Sequence, residues 1–110
     1  MNIIKYNLYK AITSRILEGE GKTSVKDRLA AFENHGLNEP LSILINKVAV
    51  HPAKITDEDI ADVKNSGFSE DQIFELVICS AVGQADRQYK SALKALSEAQ
   101  NKKGSEGDAA

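Results

Sequence analysis

Two helix-start signals thirteen residues apart constrain this chain more than any other feature: Ile55-Thr56-Asp57-Glu58-Asp59-Ile60 and Phe68-Ser69-Glu70-Asp71-Gln72-Ile73. Each places a hydroxyl residue where its oxygen accepts from an otherwise unpaired backbone N–H. Acidic residues follow in the first turn, facing the positive end of the helix. Asp59 and Gln72 can reach back to the cap, and the pairs Ile55/Ile60 and Phe68/Ile73 can clasp the entry of the chain. Between the two signals lies Asn65-Ser66-Gly67, with Gly67 suited to the left-handed conformation that ends a helix. The segment therefore reads as a short helix, a tight turn and a longer helix.

The rest of the chain reads the same way. With 110 residues, two prolines and frequent three-to-four spacing of apolar positions, the expectation is an all-α, single-domain helical bundle of about five helices with a long central C-terminal helix. Helix one spans Asn2 to Leu17, with Ile4, Leu8, Ala11, Ile12 and Ile16 in one stripe. Tyr6 and Tyr9 are candidates for a subunit contact. After the loop Glu18-Gly19-Glu20-Gly21-Lys22, Ser24 caps helix two, which turns Val25, Leu29 and Phe32 inward and ends before Gly36. Pro40 opens helix three, whose buried side is Leu41, Leu44, Ile45 and Val48, and His51-Pro52 breaks it. Helix four runs from Asp57 to Asn65. Helix five runs from Glu70 to about Ala99, with apolar residues around most of its circumference up to Val82. Beyond Gly83 its stripe narrows to Ala85, Tyr89, Ala92, Leu93 and Leu96. The domain covers 1–100, and 101–110 is a polar tail expected to be disordered.

Composition excludes several classes of function. Fourteen Lys and Arg against sixteen Asp and Glu leave no basic surplus for nucleic acid. No run approaches the roughly 20 apolar residues of a membrane span, and the amino terminus is too often interrupted by polar residues for a signal peptide. A single cysteine, Cys79, permits no internal disulfide and points to a reducing, cytoplasmic setting.

From His51 to Leu76, and more broadly from Leu37 to Leu96, the chain resembles the carboxymuconolactone decarboxylase and alkylhydroperoxidase D-like superfamily. There a helix of the type "TDEDVAALRAAG" precedes "LSxEEI" and a long alanine-rich helix. The resemblance implies an all-α fold that assembles into trimers, hexamers or similar rings. It also implies two chemistries. The peroxidase branch uses a Cys-x-x-Cys pair with a histidine three residues on, a spacing in which a helix N-terminus lowers one thiol pKa and the second sulfur resolves the intermediate. The matching positions here fall near Pro52, Ile55 and Asp59, and no cysteine or histidine stands there. The decarboxylase branch places histidines where this chain has Asp59 and Cys79. Neither catalytic set is present, and no catalytic residue carries over.

Three residues stand as weak catalytic candidates. His51 could act as a base, although a histidine at a helix C-terminus also complements the dipole. Glu75 sits among apolar neighbours and needs a partner if it points inward, with Arg87 or Lys64 available. Arg87, with Gln88, falls near an Asn-Arg pair of several family members. His35 precedes Gly36 in a similar helix-ending position. Cys79 lies in an apolar run and reads as a small core residue. Asp57, Glu58 and Asp59 are explained by the helix dipole, and no His or carboxylate spacing indicates a metal, so neither metal nor cofactor is expected. Gly83 costs helix stability, about 1 kcal/mol against alanine, which a close helix approach or a bend would explain.

The reading that follows is a non-catalytic or accessory protein of this superfamily. It acts by homo- or hetero-oligomerisation, the partner being a second copy or a Cys-x-x-Cys-bearing relative. One alternative is an enzyme or small-molecule binder of the same scaffold using His51, Glu75 or Arg87. The other is an unrelated helical interaction module, of which the Gly67-Phe68 turn of ubiquitin-associated domains is one example.

Overall fold

The computed structural model describes the backbone of residues 3–109 and the side chains of residues 10, 11 and 13–101. The expectations for Tyr6, Tyr9, Ile4, Leu8 and Ile12 fall outside the described side chains, as does nearly all of the 101–110 tail. Five α-helices and one short 3-10 turn follow in order: α1 Ile3–Glu18, α2 Val25–Glu33, α3 Leu41–Val50, the turn Pro52–Lys54, α4 Asp57–Asn65 and α5 Glu70–Ala109. Among the described residues there is no strand, and the molecule is an all-α bundle built on a long C-terminal helix.

Both helix-start signals form complete reciprocal caps. Thr56 Oγ1 accepts from the Asp59 N–H at 3.2 Å while Asp59 Oδ2 accepts from the Thr56 N–H at 2.9 Å. Ser69 Oγ accepts from the Gln72 N–H at 3.1 Å, and Gln72 Oε1 accepts from the Ser69 N–H at 2.9 Å. Gly67, at φ +116°, makes the turn between them. Ile55, Ile60 and Phe68 lie half-buried against the core, and Ile73 is part of it. Ser24 caps α2 through the Asp27 N–H at 3.1 Å.

The core is small: Ala31 from α2, Leu41, Leu44 and Ile45 from α3, Val63 from α4, and Ile73, Leu76 and Cys79 from α5. Ala49 replaces the expected Val48 at the buried end of α3, Val48 being half-buried. The inward face of α2 differs more. Val25 and Leu29 are 46% and 43% exposed, while Arg28 and Ala31 are buried. Two contacts rotate the helix. Arg28 is drawn inward to Glu75, and the Phe32 backbone presses against Gly83 of α5. A Cβ at Gly83 would sit 2.6 Å from the Phe32 carbonyl carbon, so close approach accounts for this glycine. Asn34, in the left-handed conformation at φ 54°, ends α2 two residues before Gly36.

The first third of α5 is not enclosed on all sides. Ile73, Leu76, Cys79, Ser80 and Gly83 are buried, whereas Phe74, Ile78 and Ala81 are exposed. From Gln88 to Asn101 every residue is exposed, and α5 leaves the bundle as an arm. The chain measures 64 × 29 × 20 Å with a radius of gyration of 18.0 Å, against about 13 Å for a compact domain of this length.

Candidate functional site

The three candidate residues are not brought to one place. His51 is the exposed C-cap of α3 and its backbone N–H donates to the Lys47 carbonyl at 2.8 Å. Glu75 and Arg87 are twelve residues apart on α5, about 18 Å along the helix axis. Arg87 Nη1 donates to the Phe32 carbonyl at 2.6 Å and Nη2 to Gln84 Oε1 at 3.0 Å, which ties the end of α2 to α5. His35 is an exposed residue just past the α2 cap.

Glu75 has partners, though not those the sequence offered. Its carboxylate accepts from the Lys22 N–H at 2.8 Å, from the Thr23 N–H at 3.0 Å and from the Thr23 hydroxyl. Arg28 Nε lies 3.5 Å from Oε1 and is otherwise without a hydrogen bond. Burial alone would raise the Glu75 carboxyl; the Thr23 hydroxyl, the two loop amides and the Arg28 charge outweigh it and hold the group below its ordinary value. Arg28 Nη1 also donates to the Ile16 carbonyl at 3.1 Å, so one buried guanidinium joins the end of α1 to the clamp. Gln72 adds a bond to the Lys22 carbonyl at 3.1 Å. The α1–α2 loop is thus latched onto α5, with Gly21 lying so close that a Cβ there would fall 2.5 Å from Glu75 Oε1 and push the carboxylate aside. No side-chain pattern in the sequence marks this contact, because Lys22 contributes only its backbone N–H and Thr23 its N–H and hydroxyl. Lys64, the other suggested partner, pairs with Glu70 at 2.7 Å.

Three further ionisable residues, Asp59, Asp86 and Cys79, are engaged or buried in the bundle. Asp59 combines its capping role with a Lys47 ion pair at 2.8 Å, and the Lys47 hydrogen bond is the main reason its carboxyl is held below the ordinary range. Asp86, buried, pairs with Lys90 at 3.0 Å. Burial pushes the Cys79 thiol upward. Among the described residues no group of three or more His, Cys, Asp or Glu could hold a metal ion.

What the described surface does offer is one open face. At 100° per residue, Phe74, Ile78, Ala81, Val82, Ala85, Tyr89, Ala92, Leu96 and Ala99 share an arc of about 100° on α5. All but half-buried Val82 are exposed, Phe74 by 67% and Leu96 by 57%. No charged residue falls in that arc between Leu76 and Asn101. The charges of the arm form a separate row, Asp86, Lys90, Lys94 and Glu98, on the side that faces the bundle further up the helix. A largely apolar cleft of about 290 Å³, walled by Ile60, Glu70, Ile73, Phe74 and Val77, borders the face at its start. A second cleft, of about 310 Å³, lies between α1, α2 and α5, with Leu17, Phe32, Asp86 and Lys90 in its walls. Neither is lined by His51, Glu75 or Arg87. No helix among the described residues is long and apolar enough to cross a membrane.

Comparison with protein-family models, curated proteins and solved structures found no match.

Proposed function

We propose that the chain is a non-catalytic or accessory member of the carboxymuconolactone decarboxylase and alkylhydroperoxidase D-like superfamily, acting in the cytoplasm by assembly with itself or with a relative that carries the Cys-x-x-Cys pair. The observation that carries the assembly reading is the continuous, exposed, uncharged apolar face of α5. A contiguous apolar patch of this extent on a small chain marks an interaction surface. The polar groups argue in the same direction. Glu75, Arg87 and Asp59 are each engaged in holding helices or loops together, and the lone thiol of Cys79 is buried. The order of short helix, glycine turn and long helix supports the family assignment.

The test is affinity purification of the tagged chain from its native host beside an Ala92→Glu variant. Ala92 is exposed in the middle of the face, so the variant keeps its fold, checked by circular dichroism. Recovery of a stoichiometric second copy or relative with the wild-type chain, and its loss with the variant, is the expected outcome. A chain recovered alone and monomeric, or a partner that survives Ala92→Glu, would overturn the reading.

A further inference from the structure

We infer that the occupant of the α5 face is a second copy of this chain, laid antiparallel across a two-fold axis near Arg87. The inference rests on the reading of that face as an assembly surface and adds the partner and its register.

Three features of α5 carry it. The first is the order of residue sizes. The apolar residues of the face, exposed but for half-buried Val82, follow a 3-4 heptad spacing in which one line holds Val82, Tyr89 and Leu96, and the other holds Ile78, Ala85, Ala92 and Ala99. In a parallel pair like meets like, so Tyr89 and Leu96 would each oppose themselves while the alanines faced one another. The helix axes would then have to part and close at every turn. In an antiparallel pair the two lines face each other. Leu96 meets the partner's Ile78, Tyr89 meets the partner's Ala85, and Val82 meets the partner's Ala92. The central layers join a large residue to an alanine, which gives a near-constant axis separation and close packing.

The second is charge. The face lacks charge from Leu76 to Asn101, so bringing two copies together strips no ion of water, and opposed helix dipoles favour the antiparallel sense. Lys90, Lys94 and Glu98, on another side of the arm, stay in solvent, and Asp86 stays against the bundle.

The third is area. The face runs from Phe74 to Ala99, about 38 Å at 1.5 Å per residue; a third of the accessible circumference of a helix over that length is roughly 550 Å². Two copies bury about 1,100 Å², just past the ~1,000 Å² expected of a specific interface. A pairing confined to the arm beyond Gln88 would bury about half of that. The antiparallel overlap engages the whole face because the arm of one chain lies over Phe74 and Ile78 of the other.

Sedimentation of the purified chain, combined with site-directed cross-linking, tests the inference. The wild-type chain is expected to sediment as a dimer at about 10–100 μM. Ala92→Glu is expected to weaken dimerisation at least about a hundredfold, since it buries two unpaired carboxylates, while Lys94→Ala on the solvent side leaves it intact. Ile78→Cys and Leu96→Cys chains, mixed and treated with a short bismaleimide, should cross-link to each other and not within either variant alone; wild type, with only buried Cys79, is the control. A monomeric wild type would overturn the inference. Assembly as such would survive that result if Ala92→Glu still strips a relative from the chain in the purification described above. Cross-links within Ile78→Cys alone would overturn the antiparallel register, and a dimer indifferent to Ala92→Glu would remove the face from both readings.

Discussion

Gly83→Ala is the substitution whose sign separates local helix energetics from packing. In an isolated helix it is stabilising, by about 1 kcal/mol, because alanine restricts the unfolded chain and favours the helix. Here the new methyl carbon would lie 2.6 Å from the Phe32 carbonyl carbon and 2.9 Å from its Cα. Ordinary carbon–carbon contact is about 3.5–4.0 Å, and the obstructing atoms are backbone, so no rotamer change relieves the clash. The end of α2 must move away from α5 by about 1 Å. That overpacking costs about 1–3 kcal/mol. The same movement stretches the 2.6 Å bond from Arg87 Nη1 to the Phe32 carbonyl, a bond to a charged donor worth about 1.5–3 kcal/mol. Set against the propensity gain, the net effect is a loss of about 1.5–5 kcal/mol. Urea unfolding followed by circular dichroism at 222 nm reads it directly: the midpoint should fall with little change in slope. A Gly83→Ala chain more stable than wild type by about 1 kcal/mol would refute the close α2–α5 approach.

Glu75→Gln removes a charge from the latch and turns amide hydrogens toward the donors of Lys22 and Thr23, at a cost of about 1–2 kcal/mol near neutral pH. Glu75 is held below its ordinary carboxyl value in the folded chain, so its contribution is present in full above about pH 4.5 and is lost as pH falls through the lower folded value. Stability measured from pH 6 to pH 3 should therefore fall less steeply in Glu75→Gln than in wild type, and parallel curves would show that the latch does not form. Thr56→Ala deletes one half of a reciprocal cap and should cost about 1 kcal/mol by the same unfolding assay. Cys79, buried and with its thiol raised, should remain unlabelled by a disulfide reagent at pH 8 until denaturant is added; rapid labelling of the native chain would place the residue elsewhere.

The two caps, the glycine turn and the bounds of α4 were legible because each depends on residues three or four apart, and such signals act within one turn of helix. The inward face of α2 was not. By composition Val25 and Leu29 are its core residues, yet Arg28 and Ala31 take the buried positions. That choice is made by Glu75, nearly fifty residues away, and by the missing side chain of Gly83, and neither is visible in the periodicity of α2. The same distance hid the partner of Glu75. Backbone amides carry no residue identity, so charge alone points to Lys64 and Arg87, whereas Lys22 contributes its N–H and Thr23 its N–H and hydroxyl.

The apolar residues of the long helix up to Val82 cover most of its circumference, a pattern that by itself calls for neighbours on every side. The chain supplies too few helices to cover it. α2, α3 and α4 pack on the line of Ile73, Leu76, Cys79 and Gly83, and the opposite line of Phe74, Ile78 and Ala81 is left open. Past Arg87 the first line turns charged, with Lys90, Lys94 and Glu98, where no body remains to cover it. The open line stays apolar to Ala99. A helix that existed only to complete this bundle would become polar all round on leaving it. Apolar residues are instead retained on the side of α5 that is exposed from Phe74 to Ala99, which is the pattern the proposed assembly surface requires.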